Sequence, residues 1–163
     1  MSPTPAISPT VKLADVRMRD ACILPDAASQ TYYLVASARG AGVRAYTSKD
    51  LVTWQGPQII FSAPPGLWPD AHITAVWAPE LHFYRGKYYL FLTFNTPDQF
   101  AEQWRNWLPR VKRGSQVLVG DTPLGPFKAL QNHSTPPADM MTLDGTLWVE
   151  DGVPYMVFCH EWV

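Results

Sequence analysis

The chain has 163 residues, 47% of them hydrophobic and 13% aromatic, which supports a packed core and excludes a disordered or low-complexity protein. Thirteen Lys and Arg against fourteen Asp and Glu leave a formal net charge of -1. The only basic concentration is the short run Arg110, Lys112 and Arg113, so a nucleic-acid partner is excluded. No window approaches the ~18 consecutive apolar residues of a membrane span, so no membrane partner is expected.

In chain order, residues 1–12 carry three Pro and no basic segment followed by an apolar core. They read as a flexible lead-in and not as a secretory signal. From residue 13 onward the pattern is strand and turn. Sixteen Pro, ten Gly and seven each of Trp, Tyr and Phe favour short strands joined by tight turns, which makes the fold class all-β.

Three stretches repeat. Asp20 leads into Ile23-Leu24 and the apolar run Thr31 to Ser37. Glu80 leads into Leu81 to Tyr84, a turn at Arg85-Gly86-Lys87 and a return from Tyr88 to Thr93. Asp144 leads into Thr146 to Val149, a turn at Glu150-Asp151-Gly152 and a return from Pro154 to Phe158. Each is a hairpin whose first strand starts at an acidic residue. Outer strands recur as well, since Ala45 to Trp54 matches Leu118 to Phe127 in pattern, with residues 97–114 inserted in the second unit.

Four-stranded units repeated around an axis predict a β-propeller. Blades are expected near 16–62, 72–130 and 140–163, two complete and the third an inner hairpin. The expectation is therefore a partial propeller over 13–163 that belongs to a longer protein, with the isolated chain inactive. In such a fold Asp20, Glu80 and Asp144 would open innermost strands and face one channel.

Converging carboxylates suit glycoside hydrolysis, in which one carboxylic acid protonates the leaving oxygen and another carboxylate activates water or attacks the sugar. Glu80 has two readings, a substrate contact or a hydrogen bond to backbone across the blades. His160 and Glu161 follow one another on a strand and should point to opposite faces. Trp68, Trp77, Trp104, Trp107 and Trp162 fall in or beside loops, where sugar rings stack, whereas Trp148 in an alternating strand is expected in the core. Cys22 and Cys159, far apart and without paired spacing, read as buried free thiols. His72, His82, His133 and His160 show no ligand spacing, so neither a metal nor another cofactor is expected.

At Arg19-Asp20-Ala21-Cys22-Ile23-Leu24, Trp77-Ala78-Pro79-Glu80-Leu81 and Leu143-Asp144-Gly145-Thr146-Leu147-Trp148 the chain resembles glycoside hydrolase family 43, five-bladed propellers that include arabinofuranosidases, xylosidases and arabinanases. The resemblance implies an inverting hydrolase of O-glycosidic bonds in pentose-containing glycans, with a carbohydrate substrate as its partner. It implies Asp20 as general base and Asp144 as the group that orients a general-acid Glu and tunes its pKa. The family's usual acid would lie past Val163. Glu161 stands as a substrate contact or an alternative acid, and Trp77, Glu80 and His160 are the candidate substrate-binding residues. Ala21 departs from the Pro that the family usually has after the base. The competing class is a non-catalytic carbohydrate-binding propeller.

Overall fold

A computed structural model describes residues 9–106 and 108–161. The fold is all-β, built from three antiparallel sheets. The first contains β1 (Thr10–Lys12), β2 (Cys22–Asp26), β3 (Thr31–Ala38), β4 (Gly42–Ser48) and β5 (Thr53–Ser62), in the order β1-β5-β4-β3-β2. The second contains β6 (Ala75–Tyr84), β7 (Lys87–Asn95), β8 (Gly114–Gly120) and β9 (Lys128–Ala129), in chain order. The third is the hairpin of β10 (Thr142–Glu150) and β11 (Val153–His160). Each sheet thus begins on an edge strand, β2, β6 or β10, and these three pack beside one another as the innermost strands of consecutive propeller blades. Among the described residues no helix is long and apolar enough to cross a membrane.

Local chemistry explains the hairpins. Arg85 and Gly86 have φ of 48° and 78°, and Asp151 and Gly152 have 50° and 75°. Two consecutive left-handed residues make a two-residue turn whose twist matches the flanking strands, and Gly in second place accepts that backbone without steric cost.

Blade-on-blade packing forms the core. Leu90, Leu92 and Phe94 on one face of β7 join Val35, Val43, Phe61, Val76 and Leu118 between the first two sheets. The alternate residues Phe91 and Thr93 are also buried, on the face turned to β10. A smaller cluster of Leu34, Tyr46 and Trp54 fills the other side of the first sheet.

Four expectations change here. Residues 10–12, read as flexible, form β1 against β5 because Val11 packs on the Trp54 cluster, while residues 1–8 of the lead-in lie outside the described residues. Trp68, read as a loop aromatic, is only 7% exposed, and its indole N–H donates to Gln116 Oε1 at 2.9 Å. Trp148, read as core, is 58% exposed, since its face of the β10–β11 hairpin carries no packed sheet among the described residues. Cys22 is half-buried but Cys159 is exposed, and both thiols are free. Trp107 and Trp162 lie outside the described residues.

The join between blade and loop is tight at Gly114, where an added Cβ would sit 2.5 Å from Ser134 Cβ and 3.1 Å from the Trp68 ring. Gly114→Ala is expected to cost ~1–3 kcal/mol through overpacking, read as a lower urea midpoint at unchanged slope. An unshifted midpoint would contradict this packing.

Candidate active site

Three innermost strands carry the same backbone irregularity. Asp20 has φ 48° two residues before β2 begins, Ala78 has φ 39° and Asp144 has φ 53°. The last two stand at register shifts between Trp77 and Glu80 and between Leu143 and Thr146. A non-glycine residue in the left-handed region costs of order 1–3 kcal/mol and is retained where surrounding structure imposes it. Asp is among the residues that tolerate it best, so Asp20 and Asp144 are suited to this backbone.

This equivalence corrects the repeat reading of Glu80. Ala78 occupies the position of Asp20 and Asp144, and Glu80 lies two residues further along, level with Cys22 and Thr146, inside β6 and not at its start. The reason is the bulge itself, which adds residues between the strand's start and its first inward side chain. At that level the three inner strands are tied together. Thr146 Oγ1 donates to Glu80 Oε2 at 2.6 Å, His82 Nε2 lies 3.0 Å from the same oxygen, and the Cys22 thiol points to the Leu81 carbonyl at 4.0 Å. The His82 contact, helped by Thr146, holds the Glu80 carboxyl below the usual glutamate range against the opposing effect of burial. Glu80 thus bonds across the blades, to a side chain and not to backbone.

Asp144 lies close enough to Asp20, Glu161 and Glu80 for their charges to act on it. Burial, followed by the charges of Asp20, Glu161 and Glu80, pushes the Asp144 carboxyl above its ordinary value. The Asp144 backbone N–H donates to Thr93 Oγ1 at 3.0 Å, which fixes the bulge on the neighbouring blade. Gly145 follows because a Cβ there would approach Ser115 Cβ to 3.1 Å. Asp20 is open to solvent, with Arg19 Nε 3.9 Å from its Oδ2.

Glu161 differs from these. It is 5% exposed, its backbone N–H donates to the Met141 carbonyl at 2.8 Å, and Oε1 is paired with Arg113 Nη1. Oε2 is buried with no hydrogen-bond partner among the described residues. His160, the last residue of β11, is exposed, and Glu161 follows the strand in a turn. Arg113 was visible in the sequence only as part of a short basic run, yet it organises this side of the site. Its Nε donates to Asn95 Oδ1 at 2.9 Å, its guanidinium lies 4.2 Å from the Trp77 ring centroid, and its main-chain oxygen accepts from Thr142. Trp77 remains 39% exposed beside it. Among the described residues no group of three or more His, Cys, Asp and Glu side chains is arranged to hold a metal ion.

Comparison with known proteins agrees with this arrangement. The profile of glycosyl hydrolases family 43 matches residues 15–163. An endo-arabinase from Bacteroides thetaiotaomicron is 36% identical, with a TM-score of 0.76 over 96% of this chain and 49% of that one. An alpha-L-arabinofuranosidase from Lactobacillus brevis (20% identity, TM-score 0.66, 86% of this chain and 43% of that one) and an arabinanase from Bacillus subtilis (18%, 0.64, 87% and 47%) share the fold. The chain spans about half the length of these solved structures. No curated protein matches it. Inner strands that place Asp20 and Asp144 on matching left-handed turns, a profile covering residues 15–163 and a solved relative at 36% identity together establish that the chain belongs to glycosyl hydrolases family 43.

Proposed function

We propose that the protein hydrolyses O-glycosidic bonds in pentose-containing glycans with inversion at the anomeric carbon. The observation that carries this reading is the matching left-handed turns at which Asp20 and Asp144 open neighbouring inner strands, with Asp20, Glu80 and Glu161 close enough for their charges to act on Asp144. A glycosidase needs such a set, because its acid and base must titrate apart although they are close in space.

Asp20 is the group that takes a proton from water as the water oxygen attacks the anomeric carbon. The glycosidic C–O bond breaks on the opposite face, and its electron pair leaves with the departing oxygen, which receives a proton from a general acid. Asp144, next to that path, sets the charge felt by the acid and orients it. Glu161 has one oxygen on Arg113 and the other enclosed, so we assign it to raising Asp144 and holding Arg113 in place, not to donating a proton to substrate. Trp77 offers its exposed ring to a sugar face, Glu80 ties the inner strands beneath it, and His160 is left as a rim contact. The names endo-arabinase and alpha-L-arabinofuranosidase borne by related structures support a pentose substrate.

Nitrophenyl arabinofuranosides, xylosides and galactosides, assayed with the full-length gene product, test the proposal. Turnover of a pentoside with the product appearing first as the inverted anomer by NMR is the expected result. Retention of configuration would refute the mechanism, and binding without any turnover would favour the non-catalytic alternative.

A further inference from the structure

Asp144 stands where its own sheet does not hold it. The ladder of β10 with β11 pairs Thr142 and Leu143, breaks, and resumes at Thr146, so Asp144 and Gly145 have no register partner in β11 among the described residues. A bulge of this kind leaves backbone groups without ladder bonds and bends the strand. Its position must then come from a neighbour. Gly145 rests against the second blade, where an added Cβ would come within 3.1 Å of Ser115 Cβ, and the Asp144 N–H donates to Thr93 Oγ1 of β7 at 3.0 Å.

The far side of the bulge is held by the same blade. Thr146 Oγ1 donates to Glu80 Oε2 of β6 at 2.6 Å. The two anchors belong to one hairpin, since Thr93 pairs with Trp77 and Phe91 pairs with Glu80, on either side of the register shift in β6. One bulge therefore serves the other. The extra residues around Ala78 bring the Glu80 carboxylate level with Thr146, just past the bulge that carries Asp144.

Glu80 is itself held for this task. Its Oε2 meets His82 Nε2 at 3.0 Å as well as the Thr146 hydroxyl. The two contacts keep the carboxyl below the usual glutamate range, so it is ionised and accepts only, which places a proton on His82 Nε2. The His82 ring in turn stands edge-on to the buried Phe91 ring, with centroids 5.2 Å apart and planes at 79°. A chain of contacts from Phe91 through His82 and Glu80 to Thr146 thus ends two residues from Asp144.

We propose that Glu80 is a positioning residue that acts through Thr146, pinning with Thr93 both ends of the β10 bulge to the second blade and so fixing the Asp144 carboxylate for the reaction. The proposal rests on the glycosidase reading for the task of Asp144, and adds a residue that serves it without touching substrate. Loss of the anchor leaves Asp144 out of place for part of the time. It therefore slows the chemical step and leaves binding at the Trp77 face as it was.

The test uses the full-length gene product and compares Thr146→Val, which removes the hydroxyl at nearly the same shape, with Thr146→Ser, which keeps it. Thr146→Val should lower kcat on a nitrophenyl pentoside about tenfold with KM little changed, the scale of one lost hydrogen bond. Hydrogen exchange of the Asp144 amide should quicken by about the same factor, while amides further along the β10–β11 hairpin keep their protection. Thr146→Ser should recover most of both losses. Glu80→Ala should reproduce Thr146→Val, and Glu80→Gln, which retains an acceptor oxygen, should lie closer to wild type. An unchanged kcat in Thr146→Val, a raised KM in place of a lowered kcat, or an Asp144 amide that exchanges at the wild-type rate would overturn the anchor. Equal quickening along the whole hairpin would overturn it too, as the sign of general loosening. If Glu80→Ala unfolds, the two Thr146 variants decide. Failure of the glycosidase reading looks different, as no turnover by the unsubstituted protein, and Asp144 exchange still reports whether Glu80 holds the bulge.

Discussion

Asp20→Ala is expected to reduce kcat on a nitrophenyl pentoside by ~10²–10⁴, the usual contribution of a positioned acid or base, and to leave the melting transition almost unchanged. Asp20 is solvent-open, makes no side-chain hydrogen bond among the described residues and belongs to neither core cluster, so its removal takes little from the fold. Its left-handed φ of 48° is the one structural cost, because Ala accepts that backbone less readily than Asp. Asp20→Asn serves as the companion variant, since it keeps the local geometry and removes only the basic oxygen. Retention of more than about a tenth of wild-type kcat in both variants would exclude Asp20 as the base.

Asp144→Asn separates chemistry from stability in the opposite sense. Activity should fall by ~10² or more, whereas stability at neutral pH should rise. The sign follows from the Asp144 carboxyl, which burial and the charges of Asp20, Glu161 and Glu80 hold above its ordinary value. Between the unfolded value of ~3.9 and the raised folded one, the native chain keeps a proton that the unfolded chain has released, so stability declines as pH rises through that window. Above the folded value the full cost is present, and Asn abolishes it. Because Asp144 is partly exposed, water screens the effect and the gain should stay below about 1 kcal/mol. Melting curves of the two proteins should converge as pH falls toward ~4 and separate toward neutrality. A variant less stable than wild type at neutral pH would show that Asp144 is held by favourable contacts and not crowded by like charge.

The two substitutions leave the Arg113–Glu161 pair in place. Each removes one negative charge from the same cluster, and Glu161 keeps its guanidinium partner in both. Breaking a buried pair by deleting one partner is far more costly than deleting an exposed charge. On the proposed function, Asp20 and Asp144 are therefore the positions at which activity is expected to be lost without unfolding the blade junction.

Much of the fold could be read from local sequence because its causes are local. Alternating apolar residues place Leu90, Leu92 and Phe94 on one face of β7, and the Arg85-Gly86 and Asp151-Gly152 pairs dictate tight hairpins. Asp20 and Asp144 were legible for the same reason, since each repeats near the opening of an inner strand, Asp20 just before β2 and Asp144 in the first residues of β10. Tertiary structure decided the rest. Glu80 aligned with the two aspartates only while its bulge was unseen, and its bond to Thr146 spans 66 residues. Arg113 reaches Glu161 across 48 residues, and Trp68 reaches Gln116 across the same separation. Spacing along a chain records periodicity and turn chemistry, which depend on near neighbours. Which charge meets which and which tryptophan is covered depend on blade packing, and that packing is set by shape and burial between residues far apart in sequence.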